Sequence, residues 1–415
     1  MTRSASPRLL VETREIDPLD DVLVYTDPTH PLVWQRRGEG MVGLGSPVAL
    51  VVEAGTDRSV GDQWREITAG AEIDDPLRIP GTGLVGFGAL TFDPASARPS
   101  TLIVPGVTIG RRHGRSWITT VRRVDAVTPT PRATGYGPHW SATLGPGSLS
   151  ADGYTAAVRA ALAAIAAGEV SKVVLARNLE GTVPAGSDLR RLVRALASGY
   201  PDTWAFAVDG LIGASPETLV TVADGIVTAR VLAGTAARGA DPDADTAASL
   251  ALATSTKDQD EHQFAVRSVL ESLRPHTSAL RASEQPFTLK LPNVWHLATD
   301  VEGRLADAAS ALDLVGSLHP TAAVAGTPTA HALEVIRRLE PFDRGRYAGP
   351  VGWIDADGSG EWAIALRCAQ FDPGDAAAPI PLTAYAGAGI VAGSDPESEL
   401  LETRVKFRPI VDALA

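Results

Sequence analysis

Hydrophobic residues occur in short runs through the first third of the chain, and turn-forming residues separate these runs. Glycine, proline and aspartate supply most of the breaks, as is typical of strands joined by turns. The following segment, 132–150, is dense in glycine, proline and serine, which indicates a connector. We therefore expect residues 1–148 to be β-rich, with strands at Asp21–Tyr25, Pro47–Val52, Leu84–Phe92 and Trp117–Val121.

From Ser150 onwards, helical and strand patterns alternate. Ser150 or Asp152 can cap a helix that ends at Gly168, and Asp395 begins a closing helix. The patterns between them predict helices at Asp188–Ala197, Ala244–Leu252, Asp258–Leu273, Ala308–Leu318 and Ala330–Leu339. They predict strands at Val170–Asn178, Trp204–Val220 (a pair), Ile226–Ala233, Gly349–Ile354, Glu361–Gln370 and Leu382–Val391. Because hairpins predominate over regular strand–helix–strand units, we predict a largely antiparallel α+β fold, neither Rossmann nor TIM barrel.

Charge and cysteine content narrow the class of protein. The 415 residues carry 37 basic and 49 acidic side chains, a formal charge of −12, whereas a nucleic-acid binder needs a basic surface. The one cysteine, Cys368, excludes an internal disulfide framework and fits a reducing compartment. The stretch 1–17 lacks the apolar run of a secretory signal, and no apolar run in the chain is long enough for a membrane span. We expect a cytoplasmic protein that binds neither nucleic acid nor membrane.

Two motifs have ordinary explanations. Residues 81–86 match the GxGxxG pattern, but a strand pattern follows, so that no helix N-terminus is available for a phosphate. The arginines between Arg111 and Arg123 are predicted to form a solvated hairpin face. The histidines lack metal-site spacing, and we expect no structural zinc.

Lysine is rare in this chain: Lys172, Lys257, Lys290 and Lys406 are its only examples among 37 basic residues. Arginine keeps its proton in practice, whereas a buried lysine can become a neutral base. Lys172 begins a Val-Val-Leu run on a predicted strand, where partial desolvation favours the neutral amine. It is a candidate base, or else a strand-end lysine whose amine reaches solvent. Chance occurrence stays open for Lys257 and Lys290.

Glu217 lies between two apolar strands, directly after a Ser-Pro pair. Burial raises the pKa of a carboxyl group, so that Glu217 could stay protonated and serve as a general acid. An ordinary turn glutamate is the alternative.

Two pairs of carboxylates recur at a spacing of three residues on predicted helices. Asp258 and Glu261 form one pair, and Glu399 and Glu402 form the other. If the two helices face one another, these groups build an oxygen-rich site for a hard divalent cation, and Mg²⁺ fits best if water and substrate complete its octahedron. Two solvated helix faces are the alternative.

Candidate anion-binding groups lie near the C-terminus. Arg367, on the predicted strand 363–369, can bind a carboxylate through two hydrogen bonds. Glycines in the Gly387-Ala388-Gly389 segment allow backbone N–H groups to approach a ligand closely. Lys406 follows Glu402 by four residues and lies on the same helix face. A base, an acid, a cation site and an anion site together suit a small, multiply anionic substrate.

The segments that carry these residues resemble the chorismate-utilising enzymes, the isochorismate, salicylate, anthranilate and aminodeoxychorismate synthases. The matching stretches run in order from residue 171 to residue 403, and the first 150 residues match only loosely, chiefly at Gly86–Phe92. The stretches are SKVVLAR, GASPETLV, LAGTAARG, STKDQDEH, WHLATDVEG, LHPTAAVAGTP, EPFDRGRYAGPVGW, GEWAIALRCA and YAGAGIVAGSDPESELLET.

The resemblance implies one large chorismate-binding domain over residues 1–415. Residues 1–148 would be its β-rich N-terminal part and residues 150–415 its catalytic part. The implied fold is a two-sheet, mainly antiparallel β core surrounded by helices, as in anthranilate and aminodeoxychorismate synthases.

Within the family, the residues favour the isochorismate synthase branch. Lys172 matches the lysine with which isochorismate and salicylate synthases activate water, and amine-forming members typically lack it. In the aminodeoxychorismate type, a lysine stands two residues before the Gly-Thr pair of the motif. In this chain Leu232 and Ala233 precede that pair, and neither is a lysine. The segments His296–Thr299 and Leu318–Thr321 look like isochorismate synthase. Ala322, usually proline there, and Thr329, often a basic residue, depart from the pattern.

The resemblance also implies roles for the candidate residues. Lys172 would take a proton from the water that attacks C2 of chorismate, and Glu217 would protonate the departing C4 hydroxyl. Glu261 and Glu402 would hold Mg²⁺ directly, and Asp258 and Glu399 would do so through water. The remaining implied substrate-binding residues are Gly234, His296, Ala323, Tyr347, Arg367, Gly387, Ala388, Gly389 and Lys406.

Three alternatives remain open at this point. A salicylate synthase would add pyruvate elimination on the same scaffold, and an amine-forming synthase would work with an unfused glutaminase. A non-catalytic protein that binds an anion is the third. For the isochorismate synthase we expect a monomer with no glutamine amidotransferase partner. The sequence does not say whether its product would feed menaquinone or siderophore synthesis.

Overall fold

The computed structural model describes residues 8–53, 59–123, 130–372, 374–375 and 377–415. The first seven residues of the stretch compared with secretory signals lie outside this part. The strands are β1 (Leu9–Ile16), β2 (Leu32–Arg36), β3 (Glu39–Glu53), β4 (Ala71–Asp74), β5 (Val85–Ala89), β6 (Ser100–Arg112), β7 (Arg115–Arg123), β8 (Gly145–Pro146), β9 (Lys172–Val183), β10 (Trp204–Val208), β11 (Leu211–Ser215), β12 (Thr218–Ala223), β13 (Ile226–Ala237), β14 (Thr277–Ala282), β15 (Phe287–Lys290), β16 (Val294–Leu305), β17 (Gly326–Thr327), β18 (Pro350–Asp355), β19 (Gly360–Ile364), β20 (Cys368–Phe371) and β21 (Ile380–Ile390).

The seven helices after residue 150 agree closely with the sequence prediction, whereas α1 lies in the part predicted to be β-rich and was not predicted. Ser150 and Ser255 cap α2 and α5 through their side chains, and Asp395 caps α8 with Pro396 in its first turn. None of the helices in the described part of the chain is long and apolar enough to cross a bilayer. The helices are α1 (Val60–Ala69), α2 (Ala151–Ala166), α3 (Arg190–Gly199), α4 (Pro242–Thr254), α5 (Thr256–Leu273), α6 (Ala311–Leu318), α7 (Thr329–Leu339) and α8 (Pro396–Leu414).

The strands form two sheets that share the long strands β3 and β6. One sheet runs β1–β7–β6–β3–β2–β10–β11–β20–β21–β9, and the other runs β3–β6–β5–β18–β19–β12–β13–β16. β7 pairs with one half of β6 and β5 with the other, and the β3–β6 register is irregular around the paired prolines Pro47 and Pro105. Proline donates no backbone hydrogen bond, so the shared strands change direction there. Every pairing is antiparallel except β1–β4, as the α+β prediction requires.

One hydrophobic cluster extends through both sheets and joins them. At its centre, the buried Glu361 of β19 accepts hydrogen bonds from the indole N–H groups of Trp34 and Trp353 and pairs with Arg112 at 2.8 Å. Helices α3 and α8 cover one face of the first sheet, and α5 and α6 pack against the second. Residues from β2, β6, β18 and β19 thus hold the two sheets in fixed relation.

Three strand predictions are wrong in detail. The span Trp204–Val220, predicted as a pair of strands, contains β10, β11 and the start of β12. Residues 21–25 contain a 3₁₀-helix, Leu23–Tyr25, because the Asp21 side chain accepts from the backbone N–H of Leu23 and closes a turn. The strand predicted at Glu361–Gln370 is divided into β19 and β20, which belong to different sheets. The GxGxxG segment leads into β5, and the arginine-rich segment forms the β6–β7 hairpin, as predicted.

Candidate active site

The candidate site lies where the chain passes twice from one sheet to the other. β11 of the first sheet leads through Pro216 and Glu217 into β12 of the second. β19 of the second sheet leads through Arg367 into β20 of the first. The two crossings are bonded together: the Ile364 N–H donates to the Glu217 carbonyl at 3.1 Å, and the Ala214 N–H donates to the Arg367 carbonyl at 3.1 Å.

The sequence analysis predicted that Arg367 lies within a strand. That prediction is wrong, because Arg367 lies between β19 and β20. Its backbone has a φ of 50°, in the left-handed region that residues other than glycine rarely adopt. The bend is imposed by the change of sheet, and strained backbone of this kind clusters at functional sites.

A small cavity of about 50 Å³ lies beside these crossings, and most of the predicted site residues line it. Those that line it are Glu217, Gly234, Glu261, His296, Ala323, Tyr347, Arg367, Gly387, Gly389 and Lys406. The segments between residues 217 and 406 thus converge on one place, although they are far apart in the sequence.

Five predicted residues are not part of the cavity lining. Ala388 is buried on the face of β21 opposite to that of Gly387 and Gly389, because side chains alternate along a strand. Lys172 is fully buried, and its Nζ lies 3.3 Å from Glu261 Oε1, which does line the cavity. Asp258, Glu399 and Glu402 lie outside the lining as well.

The buried carboxyl of Glu217 behaves as the sequence predicted. Burial raises the pKa of Glu217 to about 7, and the effect prevails over a backbone hydrogen bond from Leu232 and the nearby charges of Lys172 and Arg367. Near neutral pH the group is divided between its acid and its anion. Such a carboxyl group can deliver a proton.

Arg367 supplies a positive charge to the cavity and contacts the neutral imidazole of His296. The Arg367 guanidinium donates to His296 Nε2 at 2.9 Å, so that the imidazole proton is assigned to Nδ1, 3.2 Å from the Gly234 carbonyl. Burial and the charges of Arg367 and Lys406 hold the pKa of His296 well below its usual range. Among the described residues no carboxylate pairs with Arg367, which leaves its charge available to an anionic ligand.

The four predicted metal-binding carboxylates lie close enough to influence one another. Burial raises the pKa of Asp258, and the charges of Glu261 and Glu402 add to this effect. Burial and Glu402 likewise raise the pKa of Glu399. The pKa of Glu261, in contrast, is lowered, because the charges of Lys172, Lys406 and Lys257 outweigh its burial.

Three of these carboxylates are paired with lysines. Lys257 Nζ is 2.7 Å from Glu399 Oε1, Lys406 Nζ is 2.5 Å from Glu402 Oε1, and Lys172 approaches Glu261. With the side chains arranged in this way, the described residues contain no group of three carboxylate, histidine or cysteine side chains that could hold a metal ion. The donor set nevertheless fits Mg²⁺ chemically, since it supplies only hard oxygen ligands, and its negative charges outnumber the three lysines. Binding would require the lysines to give way.

Sequence reasoning missed Arg344. Its guanidinium lines the cavity, forms a fully buried ion pair with Glu340, and donates to the carbonyls of Val174 and Val324. It thereby fixes the strand of Lys172 to the segment that carries Ala323. The spacing of Glu340 and Arg344, four residues apart in an apolar stretch, was the available signal.

Lys257 was noted in the sequence as one of four rare lysines, but it was assigned no place in the site. Burial alone favours its neutral amine, but the charges of Glu399, Glu402 and Glu261 outweigh this effect and raise the pKa of Lys257. A single lysine on a polar helix gives no sign of such surroundings. Only the rarity of lysine in the chain could have drawn attention to it.

Comparisons with known proteins show which proteins this chain resembles. A putative isochorismate synthase MenF of Mycobacterium tuberculosis is 40% identical over 350 residues, which cover 80% of this chain and 87% of that protein. The crystal structure of a putative 2,3-dihydroxybenzoate-specific isochorismate synthase, DhbC, from Bacillus anthracis gives a TM-score of 0.78 at 30% identity, over 95% of this chain and 99% of that one.

The predicted fold is confirmed as well. Anthranilate synthase component I from Streptococcus pneumoniae shares it, with a TM-score of 0.67 at 20% identity over 99% of this chain and 94% of that one. The family model described as chorismate binding enzyme matches residues 138–415. The chain therefore belongs to the chorismate binding enzyme family.

Proposed function

We propose that this protein is an isochorismate synthase, which converts chorismate to isochorismate. The observation that carries the proposal is the pairing, in one cavity, of a carboxyl group whose pKa is about 7 with an arginine that has no carboxylate partner among the described residues. Chorismate carries two carboxylates and a hydroxyl group that must leave. An acid and a cationic pocket are the groups that such a substrate requires.

Glu217 is the general acid of this proposal. Water adds at C2 of the ring, the ring double bonds shift, and the C4 hydroxyl leaves with the proton of Glu217 as water. Hydroxide is a poor leaving group, so this proton must be available at the moment of departure. The pKa of about 7 leaves a large protonated fraction at neutral pH.

Lys172 is the proposed base and must be neutral when it accepts the proton of the attacking water. Its amine has no hydrogen-bond partner among the described residues and lies 3.3 Å from the carboxylate of Glu261, which lines the cavity.

The substrate carboxylates need cationic partners. Arg367, with Lys406 nearby, would bind the enolpyruvyl carboxylate, and Gly387 and Gly389 leave space for it to approach. His296 would lie against the ring beside Gly234, and its neutral imidazole places no further charge there.

Magnesium is the proposed cofactor. When bound, it would neutralise the ring carboxylate. Glu261 and Glu402 would hold it directly, and Asp258 and Glu399 through water. Oxygen-only donors of this kind suit Mg²⁺ better than a transition metal.

A direct assay tests the proposal. Purified protein, chorismate and Mg²⁺ are incubated and the products are separated by chromatography; we expect isochorismate, and no turnover with EDTA. Lys172→Ala and Glu217→Gln should each lower kcat by roughly 100-fold to 10,000-fold. Steady formation of salicylate, or of an aromatic amine when ammonium is added, would assign the chain to another branch. Undiminished activity of either variant would show that the roles are wrong.

We further propose that the enzyme acts as a cytoplasmic monomer without a glutamine amidotransferase. The supporting observations are a single buried cysteine, Cys368, and a predicted reaction that consumes no ammonia. Light scattering should give the mass of one chain, and glutamine should not change the rate. A stable dimer would contradict the proposed monomer.

A further inference from the structure

The lysines of this chain are concentrated around the carboxylates proposed to bind magnesium. Three of its four lysines, Lys172, Lys257 and Lys406, pair with Glu261, Glu399 and Glu402. Other buried ion pairs in the described residues use arginine, as in Arg190–Asp188 and Arg344–Glu340. A chain that otherwise relies on arginine therefore uses lysine at the one cluster where a cation is expected.

The chemistry of the two side chains explains the difference. Arginine grips a carboxylate through a rigid, two-pronged fork, whereas lysine is a single charge on a flexible stem. A lysine can leave a carboxylate by rotating a few bonds. It is thus the better counter-ion where the carboxylate must later bind something else.

Lys257 is the lysine best placed to leave. Its side chain is 29% exposed, whereas that of Lys172 is fully buried and Lys406 also donates to the Gly387 carbonyl. Lys257 lies in the first turn of α5, next to Asp258, and its partner Glu399 is 1% exposed. Its ammonium therefore has a path to solvent, and the carboxylate it neutralises does not.

We propose that Lys257 is a displaceable counter-ion of this carboxylate cluster, defined as Asp258, Glu261, Glu399 and Glu402. Its ammonium neutralises Glu399 while no divalent cation is bound, and it turns out to solvent when one binds. The inference rests on the proposed function, because it takes the cluster as the magnesium site. Lys257 is then a positioning residue that stabilises the empty site and competes with the metal.

The test uses the full chain and Mg²⁺ as the probe. Lys257→Met removes the charge and keeps the length of the side chain. By isothermal titration calorimetry we expect Mg²⁺ to bind this variant about threefold to tenfold more tightly than the wild type, the size expected for one partly buried ion pair. In EDTA the variant should melt at a lower temperature, and added Mg²⁺ should raise its Tm by more than in the wild type.

Lys290→Met is the matched control, because it removes the fourth lysine. Lys290 is 59% exposed and lies 3.8 Å from Asp245, away from the cluster. This variant should bind Mg²⁺ like the wild type. Lys257→Arg provides a second, conservative variant: the arginine fork should hold Glu399 more firmly and weaken Mg²⁺ binding.

The outcomes separate this inference from the proposed function. If Mg²⁺ binds the wild type but binds Lys257→Met equally or less tightly, Lys257 does not compete and the inference is overturned. Tighter binding to Lys257→Arg would overturn it as well. If Mg²⁺ does not bind the wild type at all, the magnesium site of the proposed function fails and this inference with it.

Discussion

The burial that lets Glu217 act as the proposed acid also lowers the stability of the folded protein at high pH. The difference between its pKa of about 7 and the ordinary value of 4.5 corresponds to about 3 kcal/mol. Burial stabilises the protonated form, so this group contributes stability below pH 4.5, and the contribution is lost as pH rises through 7. At alkaline pH the folded protein must hold a buried anion that the unfolded chain would solvate.

Glu217→Gln should therefore gain stability relative to the wild type as pH rises. We expect urea denaturation to give similar free energies of unfolding at pH 4.5, and a variant that is more stable by about 1 to 3 kcal/mol at pH 8.5. Glu271→Gln, an exposed position on α5, serves as the control and should show no such trend. An equal difference at both pH values would mean that the pKa of Glu217 is the same in the folded and the unfolded protein.

At the scale of elements, the helices after residue 150 were predictable, whereas α1 and the sheet crossings were not. The side-chain caps Ser150, Ser255 and Asp395 act within one turn, so their helices begin within two residues of the predicted positions. The break at Arg367 has no such local cause, since the segment alternates like a continuous strand. Which sheet each half joins depends on β11, β12 and β21, which are distant in the sequence.

The same distinction applies to the site. Glu217 could be recognised because its neighbours in sequence are apolar. The pairing of Lys257 with Glu399 joins α5 to α8 across 142 positions, which periodicity does not reveal.

The glycines of β21 should respond differently to the same substitution. A Cβ on Gly389 would lie 2.2 Å from Glu261 Oε1 and 3.0 Å from Lys172 Cε, both ends of movable side chains. A Cβ on Gly387 would lie 2.7 Å from the Leu175 carbonyl oxygen, which is backbone. Gly389→Ala should therefore lower activity by roughly 100-fold with little change in Tm, since it displaces Glu261 and Lys172. Gly387→Ala should lower the Tm itself.

Gly316→Ala is the control for both, because a Cβ there meets no atom within 4 Å. Activity assays and thermal melts of the three variants check the prediction. Full activity of Gly389→Ala would show that the positions of Glu261 and Lys172 do not matter for turnover.

At the scale of the molecule, strands of the N-terminal part pair directly with strands of the C-terminal part. β2 pairs with β10, β5 pairs with β18, and Trp34 stacks on Trp204 with ring centroids 4.9 Å apart. Removing the N-terminal strands would expose the edges of β10 and β18 and the apolar residues packed against them. Exposed edges of this kind favour association with other chains.

A fragment of residues 138–415, the part that matches the family model, should therefore aggregate. Size-exclusion chromatography of this fragment beside the full chain checks the expectation. A monomeric fragment that still converts chorismate would show that the first part of the chain is dispensable.

The two sheet crossings limit how the enzyme can be redesigned. The backbone carbonyls of Glu217 and Arg367 each accept a hydrogen bond from the other crossing, and both residues are anchored to the two sheets. Shifting one of them therefore changes the angle at which the other meets a ligand. We expect few substitutions at these two positions to be tolerated in variants selected to form a new product. Ala323 lies on a segment outside both crossings and ends in a methyl group, so exchanges there can reshape the ring pocket while the proton-transfer groups stay in place.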